Sequence, residues 1–137
     1  RVRAGAGLGE PERTHHLPRG EQRDEALDQL DAILKEGRAG RFKAADEMSK
    51  DRDKGMLALR LELWQSYWRD ALLIAEGSSI LPNNSDRRVQ LEQLLYGTDG
   101  EGALRALRAT QKMMDVLKTN ANIRQALEIM FLDYPGL

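Results

Sequence analysis

Three groups of residues in this chain are of types that do chemistry: spaced glycines near the start, two histidines, and clustered carboxylates. Gly5, Gly7 and Gly9 invite comparison with a phosphate-binding loop. Such a loop needs Gly-x-x-x-x-Gly-Lys-Ser/Thr after a strand, so that backbone amides and a lysine meet the phosphates. No lysine occurs before Lys35, and a dinucleotide fingerprint fails as well, because nothing places these glycines between a strand and a helix. His15 and His16 are the only histidines and are adjacent. They cannot supply the paired Glu-x-x-His ligands of a di-iron bundle, and a solvated pair is the preferred reading. Asp24, Glu25, Asp28, Asp31 and Glu36 are interleaved with Lys and Arg in the manner of a solvated helix face. A general base would have to be a buried Asp or Glu, and the sequence nominates none. No catalytic, cofactor-binding or metal-ligating residue is assigned, and no cofactor is expected.

Binding is the remaining chemistry. Arg87, Arg88, Arg105, Arg108, Lys112, Lys118 and Arg124 would contact phosphates if they aligned, but separate solvated charges are the preferred reading. Trp64 and Trp68, four apart, share a helix face and with Tyr67 make an aromatic ridge suited to a core or a subunit interface, the core being preferred. Arg69 and Asp70 follow directly. They need partners if covered, and an intersubunit pair is one way to provide them. Near the end, Asn122 reads as a helix N-cap with Gln125 completing a capping box. Ile123, Ala126, Leu127, Met130 and Phe131 then fall on one face, so the last helix docks, while Arg124 and Glu128 share a face four residues apart.

These residues need a scaffold. With 137 residues the chain suits one domain, long enough to bury roughly two thirds of its unfolded surface. The 21 basic and 22 acidic residues nearly cancel, so no global field draws in nucleic acid, membrane or an anionic substrate. The absence of cysteine removes disulfides, thiolate nucleophiles and zinc-thiolate sites and fits a reducing compartment. No apolar run approaches the ~20 residues that span a bilayer, and the start lacks the hydrophobic stretch of a signal peptide. A soluble, cytoplasmic protein is expected. Opening on Arg1 rather than methionine, the chain reads as an excised fragment.

Residues 1–20, with four glycines and two prolines mixed among arginines, read as a flexible tail or linker, and 21–137 as one helical domain. A first helix is expected over Glu21–Glu36, stopped by Gly37. A second spans about Arg41–Met48 with Phe42, Ala45 and Met48 inward. The third, about Asp53–Glu76, is the longest, and its apolar arc exceeds the ~100° that one buried stripe needs. It is therefore placed at the centre of the bundle, ending at Gly77. Ser78–Asn84 form a loop. Ser85 or Asp86 is expected to cap a fourth helix with Val89, Leu91, Leu94 and Leu95 as its apolar positions. Thr98-x-x-Glu101 reads as the capping box of a fifth, along which Leu104, Leu107, Met114 and Leu117 follow the helical period. The sixth begins after Asn122. No stretch alternates as a strand does, so the fold class is all-α, a single bundle of about five to six helices with antiparallel neighbours.

Three strings carry a resemblance. They are Arg41-Phe42-Lys43-Ala44-Ala45-Asp46-Glu47, then Leu61 to Leu73 with Tyr67-Trp68-Arg69-Asp70 at its centre, then Asn120 to Leu132 with Pro135 after it. Together they resemble the C-terminal collar domain of the delta-prime subunit of the bacterial DNA polymerase III clamp loader. That family has a short helix before a long Trp-Trp-Arg-Asp helix, and it ends in Asn-x-Asn-x-Arg-x-Ala-Leu-Glu. Tyr67 replaces the first tryptophan, Ile123 stands where proline is common, and residues 1–36 match poorly. The resemblance implies a collar-like oligomerisation domain that packs with the collars of gamma/tau and delta in a complex placing the sliding clamp on primed DNA during replication. It implies DNA contact only through that complex, ATPase activity on other subunits, and no membrane or small-molecule substrate. Trp64, Tyr67, Trp68, Arg69, Asp70, Asn120, Asn122, Arg124 and Glu128 are the interface or motif candidates. The alternatives are a gamma/tau or delta collar, a helical nucleic-acid-binding module, or a small helical enzyme with a buried carboxylate pair.

Overall fold

Apolar residues at three- and four-residue spacing dictate helices throughout, and helices are what the chain forms. The computed structural model describes residues 19–136, so the expected tail up to residue 18, with its glycines and His15 and His16, lies outside the described residues. The elements are α1 (Arg19–Leu34), α2 (Arg38–Ser49), α3 (Lys54–Ala75), a 3-10 turn (Ser85–Arg87), α4 (Arg88–Gly97), α5 (Gly100–Val116) and α6 (Ile123–Asp133). No strand occurs among the described residues. Arg19 and Gly20 belong to α1 rather than to a linker.

α3 is the axis. Asp53 caps its start by accepting from the Met56 amide at 3.1 Å. Its end is a Schellman motif, with Ser78 N–H donating to Leu73 O and Gly77 N–H to Ile74 O, both at 3.0 Å. That closure requires the left-handed backbone of Gly77, φ 68°, which a side chain disfavours. The wide apolar arc is met by α1, α4 and α5, all packed on α3, while α2 packs on α6 and α6 on α5. Leu61, Trp64, Trp68 and Ala71 are wholly buried. Trp64 donates its indole N–H to Ala26 O on α1 at 2.7 Å, satisfying the one polar atom that burying it would otherwise strand. Phe131 and Tyr134 complete the aromatic centre. Their ring centroids lie 6.0 Å from Trp64 and 5.2 Å from Trp68 respectively, and 5.7 Å from each other.

Several local expectations give way to specific competitors. Gly37 does not terminate α1, which closes at Leu34 through tight Lys35 and Glu36 amide bonds. Gly37 instead stands in extended backbone as the residue before α2. In α2 the inward period runs through Arg41, Ala45 and Met48, leaving Phe42 only partly covered. α5 is capped by Asp99, whose carboxylate accepts from Gly102 N–H at 2.9 Å, one residue later than the Thr98 box placed it. A Cβ at residue 102 would stand 1.9 Å from the Thr98 hydroxyl oxygen, so glycine makes that overlap of side chain and helix possible. Neither Ser85 nor Asp86 caps α4. Val89, 69% exposed, lies opposite the Leu91–Leu94 face.

The α5 core face is also rotated from the leucine-and-methionine line. Gly102, Ala103, Ala106, Leu107, Thr110 and Met113 are buried, with Leu104, Met114 and Leu117 at the margin. Small residues win there because they let α5 approach the bulky tryptophan helix closely. Thr110 fits by turning its hydroxyl onto Ala106 O at 2.8 Å and onto the Tyr134 hydroxyl at 2.5 Å. Since Trp64 fills the centre of this packing, Trp64→Ala should lower stability by about 3–5 kcal/mol, read from urea unfolding. A loss below about 1 kcal/mol would show that the centre collapses around the gap.

Candidate functional site

The interface candidates separate into an inner and an outer group. Trp64, Tyr67 and Trp68 are 0%, 3% and 0% exposed, so the aromatic ridge is core within this chain. The Trp68 indole N–H lies against the Tyr134 hydroxyl without the geometry of a full hydrogen bond. Asp70, also buried, accepts from Asn83 N–H at 2.8 Å, Asn84 N–H at 2.7 Å and the Asn84 side-chain amide at 2.7 Å. Its partners are thus the backbone and side chain of the following loop, and an intersubunit pair is not what satisfies it. The neighbouring Arg69 points outward, exposed and without an ion-pair partner among the described residues.

The outer group lies on α6 and its lead-in. Asn120 is exposed in the turn before the helix. Asn122 caps α6, accepting from Gln125 N–H at 3.0 Å. Arg124 and Glu128 pair with one another at 3.2 Å. With Leu127, Met130 and Phe131 buried, the 100° step of a helix puts Arg124, Gln125, Glu128, Ile129 and Leu132 together on the outward arc. Ile129 is 54% and Leu132 48% exposed. Two apolar side chains beside a charged pair on a firmly docked helix form a surface suited to a partner.

A second set of charges joins elements across the surface. Arg23 bridges Asp24 at 3.1 Å and Asp86 at 2.5 Å, and Arg87 reaches Asp24 and Asp28, each at 3.1 Å. Arg60 pairs with Glu25 at 3.2 Å. The acidic side of α1 is thus solvated as expected, with Asp24, Glu25 and Asp28 half or more exposed, and it carries surface ion pairs to α3 and the lead-in to α4. Hydrogen bonds from Arg23 hold the Asp24 and Asp86 carboxyls below the usual range. Of the seven cations considered as a basic surface, Arg88 pairs with Glu92, Lys118 with Asp115, and Arg87 and Arg124 as above. Arg105, Arg108 and Lys112 are left.

One functional-looking residue escaped the sequence reading. Arg41 is 7% exposed, and each of its five N–H donors finds a backbone carbonyl. Nε donates to Glu36 O at 3.2 Å, Nη1 to Phe131 O at 2.7 Å and Tyr134 O at 2.8 Å, and Nη2 to Leu34 O at 3.1 Å and Pro135 O at 2.7 Å. Burial lowers its pKa from the ordinary value, but an arginine stays charged. The available signal was its position in the Arg41–Ala45–Met48 period. Arg41 ties the ends of α1 and α6 together, so it positions the outward arc of α6.

No group of three or more His, Cys, Asp or Glu among the described residues is arranged to hold a metal ion, and no helix among them is long and apolar enough to cross a membrane. No family model, no curated protein and no solved structure matches the chain.

Two expectations follow. Arg41→Lys keeps the charge but cannot reach five carbonyls, so it should cost about 3 kcal/mol or more through acceptors left buried and unpaired. Denaturant unfolding measures it, and a loss under 1 kcal/mol would show that these carbonyls find water. The second is alkaline sensitivity. Burial, with Asp31 adding, pushes the Tyr67 hydroxyl up, and burial pushes up that of Tyr134 against the opposing influence of the adjacent Thr110 and Trp68. In the unfolded chain both titrate near 10, so stability is full below about pH 10 and falls as pH rises beyond it. Melting temperature against pH should show that fall, and Tyr67→Phe should flatten it; an equally steep fall in Tyr67→Phe would exclude Tyr67 as a source.

Proposed function

We propose that this chain is an oligomerisation domain of the clamp-loader collar type, the C-terminal collar of a delta-prime subunit of bacterial DNA polymerase III. The observation that carries the reading is the outward arc of α6, where Ile129 and Leu132 stand exposed beside the Arg124–Glu128 pair. Two further features support it. The strings that carry the resemblance fall on structural positions rather than on a pocket: Trp64, Trp68 and Asp70 in the core, Asn122 at a cap. The buried carboxylate, Asp70, is saturated by three donors and is poorly placed for proton transfer.

In this reading the domain has no ATPase activity of its own, works in the cytoplasm, and meets gamma/tau and delta through α6. α3, whose apolar arc is consumed by α1, α4 and α5, contributes at most its polar edge near Arg69. A collar from gamma/tau or delta is the nearest alternative, and the sequence upstream of this domain distinguishes the three.

The test is co-expression with gamma/tau and delta followed by size-exclusion chromatography. Co-elution is expected. Ile129→Glu and Leu132→Glu should each weaken association by about 2 kcal/mol, roughly thirtyfold, with only a small fall in melting temperature because both side chains are already about half exposed. If the chain elutes alone, or if both variants assemble like the unsubstituted chain, the collar assignment of this surface is wrong.

A further inference from the structure

Arg105, Arg108 and Lys112 follow one another on α5 at spacings of three and four. Helix geometry places them within about 60° of arc and over about 10 Å of axis. All three are exposed. Among the described residues none has a carboxylate within ion-pairing distance, whereas Arg23, Arg60, Arg87, Arg88, Lys118 and Arg124 each do. Other unpaired cations, such as Arg38, Lys43 and Arg69, are not spaced to share a helix face. The three line an open cleft of about 400 Å³ whose apolar part is Leu104 and Ala109. Glu101 and Asp133 also reach the cleft but lie beyond ion-pairing distance of the cations.

We propose that this strip is a contact site for the phosphate backbone of a nucleic-acid strand. Regularly spaced guanidinium and ammonium groups with free donors suit consecutive phosphates, to which arginine binds in a bidentate manner. Arginine clusters also take acidic peptides, but the even spacing of the three cations along one helix face matches the regular repeat of a phosphate backbone, and the acidic peptide is an outcome of the test. Glu101, one turn before Arg105 on the same face, opposes binding and limits the site to these three cations. The proposal does not rest on the collar reading, because it concerns a different face and a different ligand.

The test is fluorescence anisotropy of the full chain with a labelled single-stranded DNA oligonucleotide over roughly 50 to 200 mM KCl. Three phosphate contacts predict that log Kd rises with log salt at a slope of about 2. Arg105→Gln, Arg108→Gln and Lys112→Gln should each reduce the slope by about 0.7, and the triple variant should bind at least tenfold more weakly. Glu101→Gln should bind more tightly, while Lys35→Gln, distant and paired with Asp31, should change little. The proposal is overturned if the triple variant, shown folded by its melt, binds like the unsubstituted chain. It is equally overturned if inorganic phosphate or polyglutamate at matched charge displaces the strand as well as unlabelled DNA does, identifying a free-anion or acidic-partner site. Should the triple variant unfold, Glu101→Gln decides: tighter binding supports the site, and unchanged binding rejects it.

Discussion

The fold hinges on one guanidinium. Burying a cation is costly unless the site returns what water supplied, and among the described residues Arg41 has no carboxylate to meet it. Five carbonyls take that role, two from the end of α1 and three from the end of α6. Helix C-termini carry the negative end of the macrodipole and several carbonyls without intrahelical partners. Two such ends converging on one planar five-donor group satisfy the charge and the orphan acceptors together. The arrangement also fixes where Phe131 and Tyr134 sit, and through them the aromatic packing around Trp64 and Trp68.

From that junction the remaining polar contacts can be understood as alignment devices. Asp70 gathers Asn83 and Asn84 and so turns the chain out of α3 towards α4. Asn84 in turn receives a bond from Arg23, which also holds Asp86. Exposed ion pairs of this kind contribute little individually, but they are directional where the apolar core is not. The core supplies the driving force, and the carboxylates decide which way the 78–87 segment crosses the bundle.

What the sequence disclosed, and what it concealed, follow from the range of the forces involved. Periodicity revealed six helices and the central place of the long one, because burial of Leu57, Leu61, Trp64 and Trp68 is written into spacing along one element. The Asn122 cap was readable since its acceptor and donor lie three residues apart. Gly37 and Thr98 misled because a local signal was outcompeted by an equally local neighbour: the tight Lys35–Glu36 turn in one case, Asp99 in the other. Arg41 was hidden for the opposite reason, since its acceptors come from segments whose convergence no window contains. The charged face of α1 is solvated as its pattern indicated, but its partners Arg60 and Arg87 reach it from distant positions and were hidden likewise. The α5 core face was obscured by composition: Ala103, Ala106 and Thr110 carry weaker apolar signals than the leucines beside them, yet shape made them the ones buried.

The Arg41 junction also sets a condition on how the domain is acquired in time. Arg41 and Phe131 are separated by 90 residues of chain, and closing so long a loop costs entropy that no local contact repays. While the polypeptide emerges from the ribosome, α1 to α5 can form and collapse, but α2 has only its slight packing on α1 until α6 follows, and the arginine lacks its α6 carbonyls. Completion thus waits for α6, so a nascent chain halted before α6 presents its half-built apolar centre to chaperones and proteases.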